Sequence, residues 1–114
     1  MRSFILALGL VAAALPARAE TIAPADAKAH VGKTVTIQAA VSEVKTGRGG
    51  VTFLDMGGTF PDNAFAAVIF AADLAKFPGA KALKGKTVAI SGEVVLYQDR
   101  PEIILKTANQ LKAD

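Results

Sequence analysis

The stretch Lys33–Met56, KTVTIQAAVSEVKTGRGGVTFLDM, contains the segments that decide the fold. Within Lys33–Lys45, apolar residues recur at every second position, and polar residues fill most of the positions between them. This period-two alternation is typical of a strand that buries one face. The Gly-rich run Thr46–Gly50 predicts a flexible turn, and Val51–Met56 predicts a second strand. The chain is therefore predicted to be mainly β.

The other strands and the helices are predicted from local pattern and composition in the same way. A third, apolar strand is predicted at Phe65–Phe70, a fourth at Thr87–Gln98 and a fifth at Glu102–Lys106. Helical composition marks Ala23–His30, Ala71–Lys84 (broken by Pro78-Gly79) and a short closing turn or helix at Ala108–Lys112.

Five strands with a helix between the third and the fourth is the order of the OB-fold. We therefore predict a five-stranded OB-type barrel with a short N-terminal helix. Gly92 lies in the middle of the fourth strand, where a glycine often marks the bend of a barrel corner.

The N-terminus predicts export. Met1–Ala19 combines a basic Arg2, the apolar run Phe4–Leu15 and small residues at Ala17 and Ala19, which is the pattern of a cleavable signal peptide. The run is shorter than the roughly 20 residues that span a bilayer. We expect residues 20–114 to form one periplasmic or secreted domain, with no membrane anchor after cleavage. The chain has no cysteine, which excludes a lipid-modified N-terminal cysteine and a disulfide framework.

The net charge of the mature domain gives it little general attraction for polyanions. The chain has 13 basic and 10 acidic residues, and removal of Arg2 and Arg18 with the signal peptide leaves 11 basic residues against 10 acidic ones. A net charge near +1 means that any contact with nucleic acid has to depend on the local arrangement of side chains.

Four segments carry a resemblance to a known type of domain. They are His30-Val31-Gly32-Lys33, Thr52-Phe53-Leu54-Asp55, Leu83-Lys84-Gly85-Lys86 and the run Val94–Ile103. Together they resemble small OB-fold domains of the nucleic-acid-binding type, as found in anticodon-binding domains, nuclease subunits and exported bacterial proteins described as DNA-binding. The resemblance covers nearly the whole mature domain. It implies the OB-fold, but OB domains bind single-stranded nucleic acid, oligosaccharides or proteins.

Catalysis is not expected. His30 is the only histidine, it lies at the end of a predicted helix, and no cysteine nucleophile is present. The carboxylates are scattered, and none is spaced with a histidine as metal ligands are. We predict no catalytic residue, no metal site and no cofactor.

The predicted binding site lies on one face of the barrel. Alternation places Phe53 and Asp55 on one side of the second strand, and Leu54 and Met56 on the other. Leu54 and Met56 are the better core pair, so we expect Phe53 to lie on the open face. The flanking loops bring Lys45, Arg48, Tyr97 and Arg100 to the same region. Aromatic rings between basic loops are what a single-stranded ligand requires, because its bases stack and its phosphates need neutralising.

Two functions stay open from the sequence. The first is binding of single-stranded nucleic acid, or a similar extended anionic ligand, through Lys45, Arg48, Phe53, Asp55, Tyr97 and Arg100. The second is binding of an envelope protein or glycan without any nucleic acid. Phe53 could equally belong to the core, as we expect for Phe65 and Phe70. The sequence does not indicate the oligomeric state.

Overall fold

The computed structural model describes residues 19–113, so the predicted signal peptide lies outside the described residues, apart from Ala19. The described chain is mainly β and has short 3₁₀ segments between its strands. The strands are β1 (Glu20–Ile22), β2 (Thr34–Thr46), β3 (Thr52–Met56), β4 (Phe65–Ile69), β5 (Thr87–Glu93), β6 (Val95–Tyr97), β7 (Arg100–Ile104) and β8 (Leu111–Ala113).

All eight strands join one sheet, in the order β6-β7-β4-β3-β2-β5-β8, and β1 pairs with β2 outside this path. The prediction of five strands closed into a barrel is corrected here, because the described residues form eight strands in an open hydrogen-bonded path. The predicted fourth strand is interrupted at Val94 and becomes β5 and β6. The additional strands β1 and β8 have three residues each, which is too short for alternation to reveal them.

Strand β2 connects the two halves of the sheet. Its first half, from Thr34 to Ala40, pairs antiparallel with β5, and its second half, from Val41 to Thr46, pairs antiparallel with β3. The register to β3 shifts between Val41 and Glu43. An irregularity of this kind bends a strand, which allows one long strand to serve two differently oriented neighbours.

The predicted helices form as 3₁₀ segments. Pro24–His30 replaces the N-terminal helix, and Ala71–Lys76 with Ala80–Ala82 replaces the helix predicted between the third and fourth strands. Segments this short gain little from α-helical hydrogen bonding, and Pro78-Gly79 interrupts the longer one. Within residues 19–113, no helix has the length and apolar character needed to cross a membrane.

The core lies on the face of β3 that carries Leu54 and Met56, both fully buried. Phe65 is also buried in this core, but the prediction for Phe70 is wrong, because its side chain is 46% exposed. Phe70 follows the last residue of β4 and immediately precedes the 3₁₀ segment Ala71–Lys76, so the chain leaves the sheet there. Phe53 lies on the other side of β3, opposite this core, and a site can form there.

Candidate functional site

A groove of about 510 Å³ opens on the outer face of β3, β4 and β7, and we call it the outer groove. It is bounded by the loop between β3 and β4 and by the hairpin of β6 and β7. Its lining residues are Lys45, Thr46, Gly47, Phe53, Asp55, Phe60, Asn63, Ala64, Phe65, Ala66, Tyr97, Gln98, Arg100, Pro101 and Glu102.

Cross-strand register places Phe53 in this groove. Phe53 lies between Lys45 of β2 and Val68 of β4, and its side chain is half-buried. Its neighbour Leu54 points to the opposite face and is fully buried. The outward orientation of Phe53 therefore follows from the burial of Leu54 and Met56 on the core face.

Phe60 adds an exposed aromatic ring to the groove and has two cations beside it. The Lys45 Nζ lies 4.8 Å from the centroid of the Phe60 ring, and the Arg100 Cζ lies 4.6 Å from the same centroid. These distances are typical of cation–π contacts, which hold a charged group near a ring without neutralising it. Both cations thus remain available to an anionic ligand.

Arg100 also ties the β6–β7 hairpin to the loop between β3 and β4. Its Nη1 donates to the Asn63 side-chain oxygen at 3.3 Å, and its Nη2 donates to the Pro61 carbonyl oxygen at 3.0 Å. The Asn63 amide in turn donates to the Phe65 carbonyl oxygen at 3.1 Å. These bonds fix the guanidinium at the rim of the groove, which lowers the entropy cost of presenting it to a ligand.

Two carboxylates form the floor of the groove. Asp55 and Glu102 are both buried, and each is paired in register with Ala66 of β4, the strand between β3 and β7. Burial raises the pKa of Asp55, although nearby Lys45 lowers it in part. Burial likewise raises the pKa of Glu102, which Arg100 lowers and Asp55 raises further. Both groups are acids taken out of water without full compensation.

The structure brings together five of the six predicted site residues. Lys45, Phe53, Asp55, Tyr97 and Arg100 line the outer groove, and the side chain of Tyr97 is 59% exposed at its rim. Arg48 is exposed on the 3₁₀ segment Arg48–Gly50 and does not line the groove.

Sequence reasoning missed three members of the site. They are Phe60, Asn63 and Glu102. Phe60 lies in a loop rich in Gly, Pro, Asp and Asn, where an aromatic residue has no core to enter, and that contrast was a usable signal. Nothing in the local pattern shows that Glu102 shares the groove with Asp55. The two residues lie on strands β7 and β3, on either side of β4, and only the order of the strands brings them into one groove.

The described part of the chain contains no candidate metal site. Among residues 19–113, no three His, Cys, Asp or Glu side chains are grouped in a way that could hold a metal ion. His30 lies at the end of a 3₁₀ segment, where its Nδ1 is 3.0 Å from the Asp26 carbonyl oxygen.

No protein-family model matches this chain, and no curated protein sequence matches it. The solved structures with a similar fold include a protein assigned as an aspartyl-tRNA synthetase from Leishmania major Friedlin, with a TM-score of 0.56 and 14% sequence identity. The match covers 88% of this chain and 21% of that one, so this chain spans about a fifth of the length of its structural neighbour. At this identity the likeness concerns the fold, which is mainly β and OB-like.

Proposed function

We propose that this OB-like domain binds single-stranded nucleic acid in the outer groove, with bases stacked on Phe53 and phosphates held at the rim by Lys45 and Arg100. The observation that carries the proposal is the convergence of exposed aromatic rings and two cations in one groove. Stacking with local phosphate neutralisation is the common mode of single-strand binding. The structural neighbour is, by its name, an enzyme that acts on tRNA, which also favours this ligand.

We propose that the eight-stranded sheet has the strand connections of an OB-fold. Strands β5 and β6 are separated only by Val94, yet β5 pairs with β2 while β6 pairs with β7. Two arms of one bent strand would thus link β2 to β7, as the fourth strand links its two neighbours in an OB-fold. The outer groove then lies on the face that such barrels use for oligonucleotides.

We also propose that the protein is exported and acts as a binding module without catalysis, in the periplasm or outside the cell. The support for export is the pattern of Met1–Ala19. The intact mass of protein recovered from the periplasm should match a chain that begins at Glu20. Protein recovered there with Met1 still attached would contradict cleavage.

A glycan is the second candidate ligand, favoured by one observation. Buried carboxylates at the floor, Asp55 and Glu102, repel phosphates but accept hydrogen bonds from sugar hydroxyl groups, and aromatic rings stack on sugar faces. A glycan-binding groove needs no cations at its rim, and this groove has two.

Salt dependence separates the two ligands. Affinity for a fluorescently labelled thymidine oligonucleotide should fall with salt, with a log–log slope of about −0.7 for each phosphate contacted. Lys45→Ala and Arg100→Ala should each flatten this slope, whereas Lys81→Ala, an exposed cation outside the groove, should leave it unchanged. If the oligonucleotide fails to bind at low salt while a neutral oligosaccharide binds, the glycan is the ligand and the nucleic-acid proposal is wrong.

A further inference from the structure

The floor of the outer groove holds a carboxylate oxygen without a partner. Asp55 is 3% exposed, and its Oδ2 forms no hydrogen bond. Its Oδ1 lies 3.5 Å from the Asn63 amide nitrogen, and a backbone hydrogen bond from Phe60 offsets part of the burial-driven rise in the pKa of this carboxyl. A buried acceptor left unsatisfied carries a desolvation penalty, and a ligand that supplies an N–H group at that point would remove it.

Glu102 supplies a second acceptor in the same row of the sheet. Asp55 and Glu102 lie on strands either side of β4, opposite the same residue, Ala66. Two strand spacings separate their backbones by about 10 Å, which is wide enough for one planar group between the two side chains. Ala66 contributes only a methyl group, which leaves the floor between the acids open. In the part of the chain that the structure describes, the ion pairs involve other carboxylates.

Charge orients a nucleic acid in this groove. The anionic floor repels phosphates, and the cations Lys45 and Arg100 lie at the rim beside Phe60. A single strand bound here would therefore keep its backbone at the rim and insert a base, edge first, toward Asp55 and Glu102. The inserted edge has to present donors, because ionised carboxylates only accept hydrogen bonds.

Guanine is the base that fits this demand. Its Watson–Crick edge carries two adjacent donors, N1–H and the N2 amino group, whereas thymine and uracil place carbonyl oxygens on both sides of a single N–H. Adenine and cytosine each place a ring-nitrogen acceptor beside their amino group. We propose, as an extension of the proposed nucleic-acid function, that Asp55 and Glu102 are specificity-determining residues that select guanine for the base position beside Phe53.

The test compares three fluorescently labelled thymidine oligonucleotides that differ at one central position, which carries guanosine, inosine or thymidine. Inosine keeps the N1–H but lacks the amino group. We expect the guanosine oligonucleotide to bind about tenfold more tightly than the inosine one, and more tightly still than the thymidine one. Asp55→Asn and Glu102→Gln should reduce the preference for guanosine over inosine.

Glu93→Gln is the matched control. Glu93 loses the same charge in this variant, but it is exposed at the end of β5 and does not line the groove. Its preference for guanosine should equal that of the wild type. If the wild type binds all three oligonucleotides equally, selection of guanine is refuted while the proposed function stands. If it binds none of them at low salt, the proposed function fails as well. Should Asp55→Asn unfold, the wild-type comparison and Glu102→Gln still decide the question.

Discussion

Gly92→Ala tests the close packing at the point where β5 approaches the interruption at Val94. A Cβ at this position would lie 2.6 Å from the Ile103 Cγ2 and 2.9 Å from the Gln110 Nε2. Neither distance is tolerable for non-bonded atoms, so Ile103 or the Gln110 side chain has to move. Gln110 is poorly placed to do so, because its Nε2 donates to the Ser91 carbonyl oxygen at 3.0 Å and to the Ile104 carbonyl oxygen at 3.1 Å.

The expected cost follows from these contacts. Overpacking a filled core by one methyl group costs about 1–3 kcal/mol. Loss of the two Gln110 bonds adds about 1 kcal/mol each if its side chain is displaced. The φ of 154° at Gly92 adds about 1 kcal/mol of backbone strain, so we expect Gly92→Ala to lower the free energy of unfolding by roughly 2–6 kcal/mol, with the upper end reached if Gln110 is displaced. For a domain of this size, each kcal/mol lost lowers the melting temperature by roughly 4–8 °C.

Thermal and urea unfolding followed by circular dichroism measure this loss. Gly85→Ala is the matched control, because both glycines have a positive φ (154° at Gly92, 83° at Gly85), but at Gly85 no atom lies within 4 Å of the position that the alanine methyl group would take. The free energy of unfolding of Gly85→Ala should fall by only about 1 kcal/mol, because backbone strain is the only cost. Unfolding of Gly92→Ala at the wild-type midpoint would refute the close approach of β5 to β7.

Four further predictions concern stability. Asp55→Asn should raise the melting temperature at neutral pH, since burial raises the pKa of Asp55 and makes its charge unfavourable in the folded state. Because the pKa values of Asp55 and Glu102 are raised on folding, their contribution to stability should increase as pH falls toward their ordinary values of 3.8 and 4.5, and Asp55→Asn should weaken that trend in melts across pH. Gln110→Ala should lower the free energy of unfolding, measured in urea, by about 1–3 kcal/mol, because the Gln110 side chain bridges β5 and β7. A decrease of less than about 0.5 kcal/mol would contradict this bridging role. Lys28→Ala should change stability by less than about 0.5 kcal/mol, because its ion pair with Asp99 is exposed, and a larger loss would mean that the pair matters more than its exposure suggests.

The elements with clear alternation were predictable from the sequence. Predicted strand Lys33–Lys45 corresponds to β2, and Val51–Met56 corresponds to β3, each within one residue at either end. Burying Leu54 and Met56 on one face was enough to place Phe53 on the other. In these segments the local pattern and the tertiary packing require the same arrangement, which is why the sequence is informative there.

Features that depend on contacts distant in sequence were not predictable. Strand β1 exists only because β2 offers it an edge for parallel pairing, and three residues carry no periodic signal. The exposure of Phe70 depends on where β4 ends and the chain turns away. The placement of Asp55 and Glu102 on either side of β4 follows from the order of the strands in the sheet, which local composition does not encode.

The most direct test of the proposed site is the affinity of Phe53→Ala for a labelled single-stranded oligonucleotide, measured together with its melting temperature. Phe70→Ala serves as the control, since Phe70 is an exposed phenylalanine outside the outer groove. Phe53→Ala should weaken binding by about 1–3 kcal/mol for each stacked base, and its loss of stability should be smaller than the roughly 3–5 kcal/mol of a core Phe→Ala change. Phe70→Ala should bind as the wild type does. Equal affinity of Phe53→Ala and Phe70→Ala would contradict the assignment of the outer groove as the binding site.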